Sequence, residues 1–383
     1  MKLSGVRVLD LSMFLPGPHL TMMMADHGAD VIKVEPPSGE PVRELGYRAP
    51  DGASVWFRNT HRGKRSVVLD LKTDAGREAL LTLAETADVF VEAFRPGVVD
   101  RLGVGPQAVR ARNPRLVYLS IAAFGQTGPW ARRPAHDPAI QALAGTSSMN
   151  LGSDDAPTMM GVPAADLASS LMGFGAVCMA LLRRESTGRG DVVDLSMHDA
   201  LMAWLPNVTG PVFAEGRAPV AKQERSLGGS AFLNHYRTAD DLWVCLGGVE
   251  HKFVRNLLNA LHRPDLIPAA EGPPGDAQAP VMAFLRETFA TRTRAEWEAW
   301  FEGRDICFAP VLDLAEAFAS PQVEARAMRV TDADGAEHIG IPLKFAEEPG
   351  RLNPALPALG EHTEQVLREA GLPDDILEAC LRR

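Results

Sequence analysis

The feature that most restricts how this chain can fold is an alternation of short apolar runs with helix-length segments, which begins at Val6 and is still running at Ile121. Val6 to Ser12 reads as a buried strand, Pro16-Gly17-Pro18 as a turn, His19 to His27 as a helix stopped by Gly28, and Ala29 to Glu35 as a second strand. That is a β-α-β unit. The pattern repeats with a strand over Ser66 to Leu71, a helix over Asp74 to Thr86, a strand over Val89 to Glu92, a helix after Pro96-Gly97 and a strand over Leu116 to Ile121. Such alternation predicts an α/β fold: a mostly parallel sheet with helices on both faces and ligands beyond the strand ends.

Further along, Asp191 to Met197 reads as a strand and His198 into Trp204 as a helix, after which prolines and glycines from Pro206 to Gln223 interrupt any regular element. Strand-like Ala231 to Tyr236 and Leu242 to Leu246 then meet at a turn around Asp240-Asp241, followed by helices from Glu250 and from Val281. The implied division is a large domain over residues 1–205, a linker over 206–225, a smaller α+β domain over 226–310 and a return to the large domain over 311–383. Leu359-Gly360-Glu361-His362-Thr363 is expected to cap a last helix.

A net charge of -10 argues against nucleic acid as the main partner. Four scattered cysteines, Cys178, Cys245, Cys307 and Cys380, with no CxxC pair, suit a reducing compartment, and with no secretory leader at Met1 to Asp10 a cytoplasmic location is expected. The longest weakly polar run, Leu167 to Leu182, falls short of the ~20 residues that span a bilayer, so a buried helix is expected and no membrane partner. GxGxxG, HExxH, zinc-finger and GxSxG patterns are absent, so no dinucleotide, metal or serine-hydrolase site is expected.

What chemistry-bearing residues remain centre on Ala131 to Leu182. Asp166 follows the turn-prone Gly161-Val162-Pro163 and opens an almost uncharged helical segment, whose free backbone N–H groups favour an ionised carboxylate. It is taken as the reacting group; its plainer role would be an N-cap, and that of the upstream His136 a surface histidine. Glu250 follows Leu246-Gly247-Gly248-Val249 at a strand-to-helix junction, where glycines admit a ligand to the backbone. Arg43, Arg62, Lys64, Arg65, Lys72, Arg95 and Arg101 fall in loops near the strand ends, where they would either hold an anion with several phosphates or form a solvated face. Met159, Met160, Trp204 and Phe232 suggest an apolar acyl site or plain core.

Taken together, G-V-R-V-L-D-L-S with P-G-P, A-D-H-G-A-D-V-I-K-V-E-P-P, N-T-H-R-G-K-R-S-V-V-L-D-L-K, V-E-A-F-R-P-G-V-V-D-R-L-G, T-G-R-G-D-V-V-D-L-S-M-H-D-A and L-G-E-H-T resemble the class III CoA-transferase family across essentially the whole chain. The family includes formyl-CoA transferase, carnitine CoA-transferase and 2-methylacyl-CoA racemases. The resemblance implies a Rossmann-like large domain and a smaller domain in a ring-shaped chain, interlocked with its copy as a homodimer. It implies a CoA thioester as substrate, no tightly bound cofactor, and CoA contacts at Leu15, Leu69, Lys72 and Arg101 with Arg95 nearby. Pro36 departs from relatives that place an arginine at the adenine end.

In the transferases, the aspartate matching Asp166 attacks the thioester, and CoA passes through an aspartyl-CoA thioester to an acceptor carboxylic acid. In the racemases, residues matching His136 and Asp166 exchange the α-proton on opposite faces, supported by one matching Glu250. The run D-P-A-I-Q-A-L-A-G after His136 is closer to the transferases, whereas L-G-G-S-A-F-L-N-H-Y-R-T-A-D and G-G-V-E-H-K-F are closer to the racemases. CoA transfer is the leading expectation and racemisation the alternative. A non-catalytic CoA-binding subunit would have no need of Asp166.

Overall fold

Apolar runs that are buried on both faces pair most readily in parallel, with helices covering each side. The computed structural model, which describes residues 1–382, shows this arrangement; Arg383, the last residue of the expected return segment, lies outside the described residues. Two compact units are present: one comprises Met1–Ala144, Gly161–Trp204 and the chain from Pro321 onward, the other Gly145–Met160 and Leu205–Ser320.

The first unit holds a six-stranded sheet in which every pairing is parallel. Its strands are β1 (Arg7–Asp10), β2 (Asp30–Glu35), β3 (Arg65–Val68), β4 (Val89–Glu92), β5 (Val117–Ala122) and β6 (Val192–Ser196), in the order β3-β2-β1-β4-β5-β6. The order reverses between β1 and β4, so the loops after those two strands diverge and leave a crevice at the carboxyl edge. Between the strands run helices α1 (Pro16–Asp26), α2 (Val55–His61), α3 (Asp74–Glu85), α4 (Val98–Arg101), α5 (Pro106–Arg112), α6 (Asp137–Leu143), α7 (Ala164–Thr187) and, after β6, α8 (Met197–Met202). Alternate strand residues feed two cores. Leu9, Ile32, Phe90 and Tyr118 meet Leu80 and Leu83 of α3, while Val8, Val31, Val89 and Val117 meet Leu20 of α1 and Val177 of α7. Each such aliphatic side chain, taken out of water, contributes about 1.5–3 kcal/mol.

Pro16-Gly17-Pro18, expected as a turn, is instead the first turn of α1. Proline is well suited there, because its fixed φ is already helical and the N–H it lacks would have had no partner. α7 runs for 24 residues, beyond the apolar stretch seen in the sequence, until Gly188 ends it in a left-handed conformation. Its length and composition would suffice to cross a bilayer, yet Ala165, Ala168, Ser169, Ser170, Gly173 and Val177 are buried against the rest of the unit. Gly173 is required by that packing, since a Cβ there would come within 2.6 Å of Leu20 on α1. The C-terminal region holds more than the one expected helix: a hairpin (Arg329–Thr331 with Glu337–Ile339) and two helices, Thr363–Glu369 and Asp374–Leu381. The L-G-E-H-T motif ties the first of these to β3, where Thr363 Oγ1 accepts from the Val68 N–H at 3.0 Å and the His362 N–H donates to Ser66 at 2.9 Å.

The second unit is built on a three-stranded antiparallel sheet of β7 (Leu233–Arg237), β8 (Trp243–Gly247) and β9 (Phe308–Pro310). Val254, Leu257, Leu285, Phe289 and Trp297 from its helices pack with Phe232 and Tyr236 in its core. Gly210–Glu215, inside the stretch expected to lack regular elements, forms a short helix with Pro211 in its first turn.

Candidate active site

Loops leaving the carboxyl ends of β1, β4 and β5 enclose a cavity of about 420 Å³. Met13, Phe14, Phe94, Arg95, Arg133, His136 and Asp166 are among the residues that line it. His136 and Asp166, separated in sequence by α6, a single 3-10 turn and a loop, thus line one cavity. His136 is exposed at the residue preceding α6, its ring edge-on to that of Phe14 with centroids 5.9 Å apart. Asp166 is half-buried in the first turn of α7.

Asp166 is not an N-cap, and the free N–H groups of α7 do not hold its carboxylate. They are taken by Asp137, whose Oδ1 accepts from Ala165 N–H at 2.8 Å and from Asp166 N–H at 3.3 Å. Gln141, one turn along α6, holds the other oxygen of Asp137 at 2.5 Å. The expectation of a carboxylate kept ionised by the helix end is therefore corrected. Burial, reinforced by the nearby negative charge of Asp137, pushes Asp166 up to about 7. The sequence reading passed over Asp137; its signal was an acidic residue beside His136 at the start of an apolar helix.

An activity that needs ionised Asp166 should rise with pH through about 7. Asp137→Asn keeps an oxygen for the two N–H groups but removes the charge. The midpoint of the kcat/KM profile is expected to move to lower pH, and an unmoved midpoint would separate Asp137 from the titration.

A second cavity, of about 230 Å³, opens at the ends of β1, β2 and β3. Leu69, Lys72, Glu35, Pro36, Glu40 and Leu102 line it, together with Met13 and Phe94, which also line the first. The wall residue Phe94 is held by Glu92, whose Oε2 accepts the Phe94 N–H at 2.7 Å. Burial pushes the Glu92 carboxyl up to about 7. Of the residues expected at CoA, Leu69 and Lys72 line the second cavity and Arg95 the first. Leu15, at the start of α1, and the exposed Arg101, at the end of α4, lie outside both linings.

The basic cluster seen in the sequence divides in two. Arg43 pairs with Glu35 at 2.7 Å, Arg62 with Asp26 at 2.7 Å, Lys64 with Asp10 at 2.9 Å, and Arg65 with Asp30 and Glu369 at 2.7 Å. These four hold the fold together. Lys72, Arg95 and Arg101 are exposed and make no ion pair among the described residues, and Arg133, which the sequence reading missed, adds a fourth exposed cation at the first cavity. Phe232 is core of the second unit. Glu250 belongs to that unit also, exposed just before helix His251–Ala260.

Fold and cavities define a doubly wound α/β protein with a half-buried carboxyl in a cavity at the carboxyl edge of its sheet. Residues 3–363 match CoA-transferase family III, and the chain belongs to that family, as its motifs led one to expect. It is 34% identical to the succinyl-CoA:mesaconate CoA-transferase of Haloarcula hispanica, over 97% of this chain and 96% of that protein. Its identity to the alpha-methylacyl-CoA racemase of Homo sapiens is 33%, over 97% of this chain and 94% of that protein. A crystal structure of a CAIB/BAIF family protein from Brucella suis aligns with a TM-score of 0.83 at 30% identity, covering 96% of this chain and 99% of that one.

Proposed function

We propose that the protein is a CoA-transferase that moves CoA between carboxylic acids through an aspartyl-CoA thioester on Asp166. The observation that carries this reading is the position of Asp166, alone among the described carboxylates in lining the cavity between the β1, β4 and β5 loops, where the thioester carbonyl can be brought to it away from bulk water. The carboxylate attacks that carbonyl and expels CoA thiolate, leaving a mixed anhydride. The thiolate returns to the aspartyl carbonyl, expels the donor acid and leaves the aspartyl thioester, from which the acceptor carboxylate collects CoA by the reverse sequence. Only an acyl anhydride keeps the activation of the thioester through such an exchange. Lys72, Arg95 and Arg101 are assigned to CoA, with Leu15 and Leu69 as apolar contacts; that these exposed cations make no ion pair among the described residues supports this.

A second reading is favoured by one observation: a carboxyl near 7 is present in both protonation states at neutral pH, as an α-proton exchanger requires, and His136 lines the same cavity. This is the 2-methylacyl-CoA racemase reading, with Glu250 as its supporting group. Trapping decides between them. Incubation with a panel of acyl-CoA thioesters followed by hydroxylamine or borohydride should leave a mapped modification on Asp166 for a transferase. No adduct, with solvent deuterium entering the α-carbon of a 2-methylacyl-CoA, would make the protein a racemase.

Charge reversal at Lys72 or Arg101 is expected to weaken CoA binding by about tenfold or more in titration calorimetry, and unchanged affinity would remove both from the CoA site. A homodimer belongs to the same proposal, in line with the apolar side of α7, where Leu171, Met179 and Leu182 are 48%, 67% and 76% exposed. The four cysteines, all free, suit a reducing cytoplasm.

A further inference from the structure

Phe14 lies at the tip of the loop joining β1 to α1 and has φ of 66°, a left-handed conformation that a bulky L residue adopts only under constraint. The constraints are all visible. Before it, Ser12 is tied to Asp10 through both its N–H and its hydroxyl. After it, Gly17 leaves room for Ser12, since a Cβ at that glycine would fall 2.1 Å from the Ser12 hydroxyl. At the tip, the Phe14 N–H donates to Glu40 Oε1 at 3.0 Å. Glu40 is itself buried and fixed, its other oxygen 3.1 Å from the ammonium of the buried Lys33 and its N–H donating to Glu35 at 2.9 Å. Lys33 also donates to the Ser12 carbonyl, so one buried ion pair grips the loop at two points.

What the strained residue does is evident from its side chain. Its ring lines the cavity that holds Asp166 and stands edge-on to the imidazole of His136, which has no hydrogen-bonded side-chain partner among those described. We infer that Glu40 is a positioning residue for the reaction: by holding the Phe14 N–H it keeps the loop in its left-handed turn and sets the Phe14 ring as the surface against which His136 is oriented. This rests on the proposed catalytic cavity, but not on the choice between transfer and racemisation. It accounts for a buried Lys33–Glu40 pair beside a strained loop, where a packed apolar pair would have served stability as well.

Two variants and two readouts test it. Phe14→Gly adopts the positive φ without strain and keeps the N–H for Glu40 but removes the ring. Glu40→Gln keeps an acceptor but weakens the hold of Lys33 on it. Both are expected to lower kcat by on the order of 10–100-fold per folded molecule while KM for the acyl-CoA changes by about twofold or less. Both should also change the His136 imidazole resonances in NMR spectra of the full-length protein. If Glu40→Gln lowers the melting temperature but leaves kcat per folded molecule and the His136 signals as in the parent, Glu40 serves stability alone and the inference is overturned. If the parent protein shows neither transfer nor exchange, the proposed function fails, and the NMR readout still decides: altered His136 signals in both variants uphold the positioning role, and unaltered ones overturn it.

Discussion

Asp166→Asn is expected to lower turnover by on the order of 10⁴-fold or more, in whichever direction the enzyme is assayed, because the amide can neither form an anhydride nor exchange a proton. The substitution is nearly isosteric, and Asp137 would still accept the N–H groups of residues 165 and 166, so the fold should be retained. Stability should in fact improve at higher pH. A carboxyl near 7 in the folded chain titrates near 4 when unfolded, so between those values the folded state binds more protons and loses stability as pH rises. Asparagine lacks that penalty. Its gain in melting temperature over the parent should be small at pH 4 and largest above pH 7, whereas a gain independent of pH would mean that Asp166 is not held in its protonated form by burial. Retained turnover would end both catalytic readings together.

The second large effect belongs to Asp10. It sits at the end of β1, fully buried, with Lys64 at 2.9 Å, Lys33 at 4.0 Å and the Thr21 hydroxyl at 2.6 Å. Burial by itself would raise its carboxyl. Lys64 and Lys33, with the hydroxyls of Ser12 and Thr21, more than reverse that and hold it well below the usual carboxylate range. Lys64, also buried, is brought down to about 8 by burial despite its contact with Asp10. Asp10→Asn leaves that ammonium without its only ion-pair partner among the described residues, and the expected loss is about 3–5 kcal/mol in urea unfolding. Because the folded value of Asp10 is depressed, its contribution is present above the unfolded value near 4 and disappears as pH falls through the folded one. Parent and variant should therefore converge in acid. A loss of less than about 1 kcal/mol at neutral pH would show that Lys64 discards its proton rather than suffer the unpaired burial.

These two aspartates also show where sequence reading succeeds and where it stops. The six parallel strands, and helices such as α1, α3 and α7, were legible because short, mostly apolar runs alternate with helix-length segments, whereas α2 and α5 carried no such signal. The family was legible from motifs spread over the chain, and its match to residues 3–363 agrees. Asp166 was visible as a carboxylate at a helix start, since a turn followed by an uncharged helix is a local pattern.

What surrounds these residues was decided only in three dimensions. Asp137 takes the helix N–H groups that Asp166 was expected to use, because α6 is packed against α7, a contact between segments that no local pattern encodes. Arg43, Arg62, Lys64 and Arg65 resembled the cations of a phosphate site until β1 and β2 brought Asp10, Asp30 and Glu35, and α1 brought Asp26, to them. Phe14 carries no sequence mark of its left-handed turn, since the residue type opposes that conformation and the groups that hold the loop, among them Glu40 after β2 and Lys33 within it, come from another part of the chain. The sequence by itself determined the periodicities, hence the elements and their layering. Tertiary structure decided which charges are neutralised, which N–H groups are free and which carboxyls are pushed up towards neutrality, because those depend on burial and on partners distant along the chain.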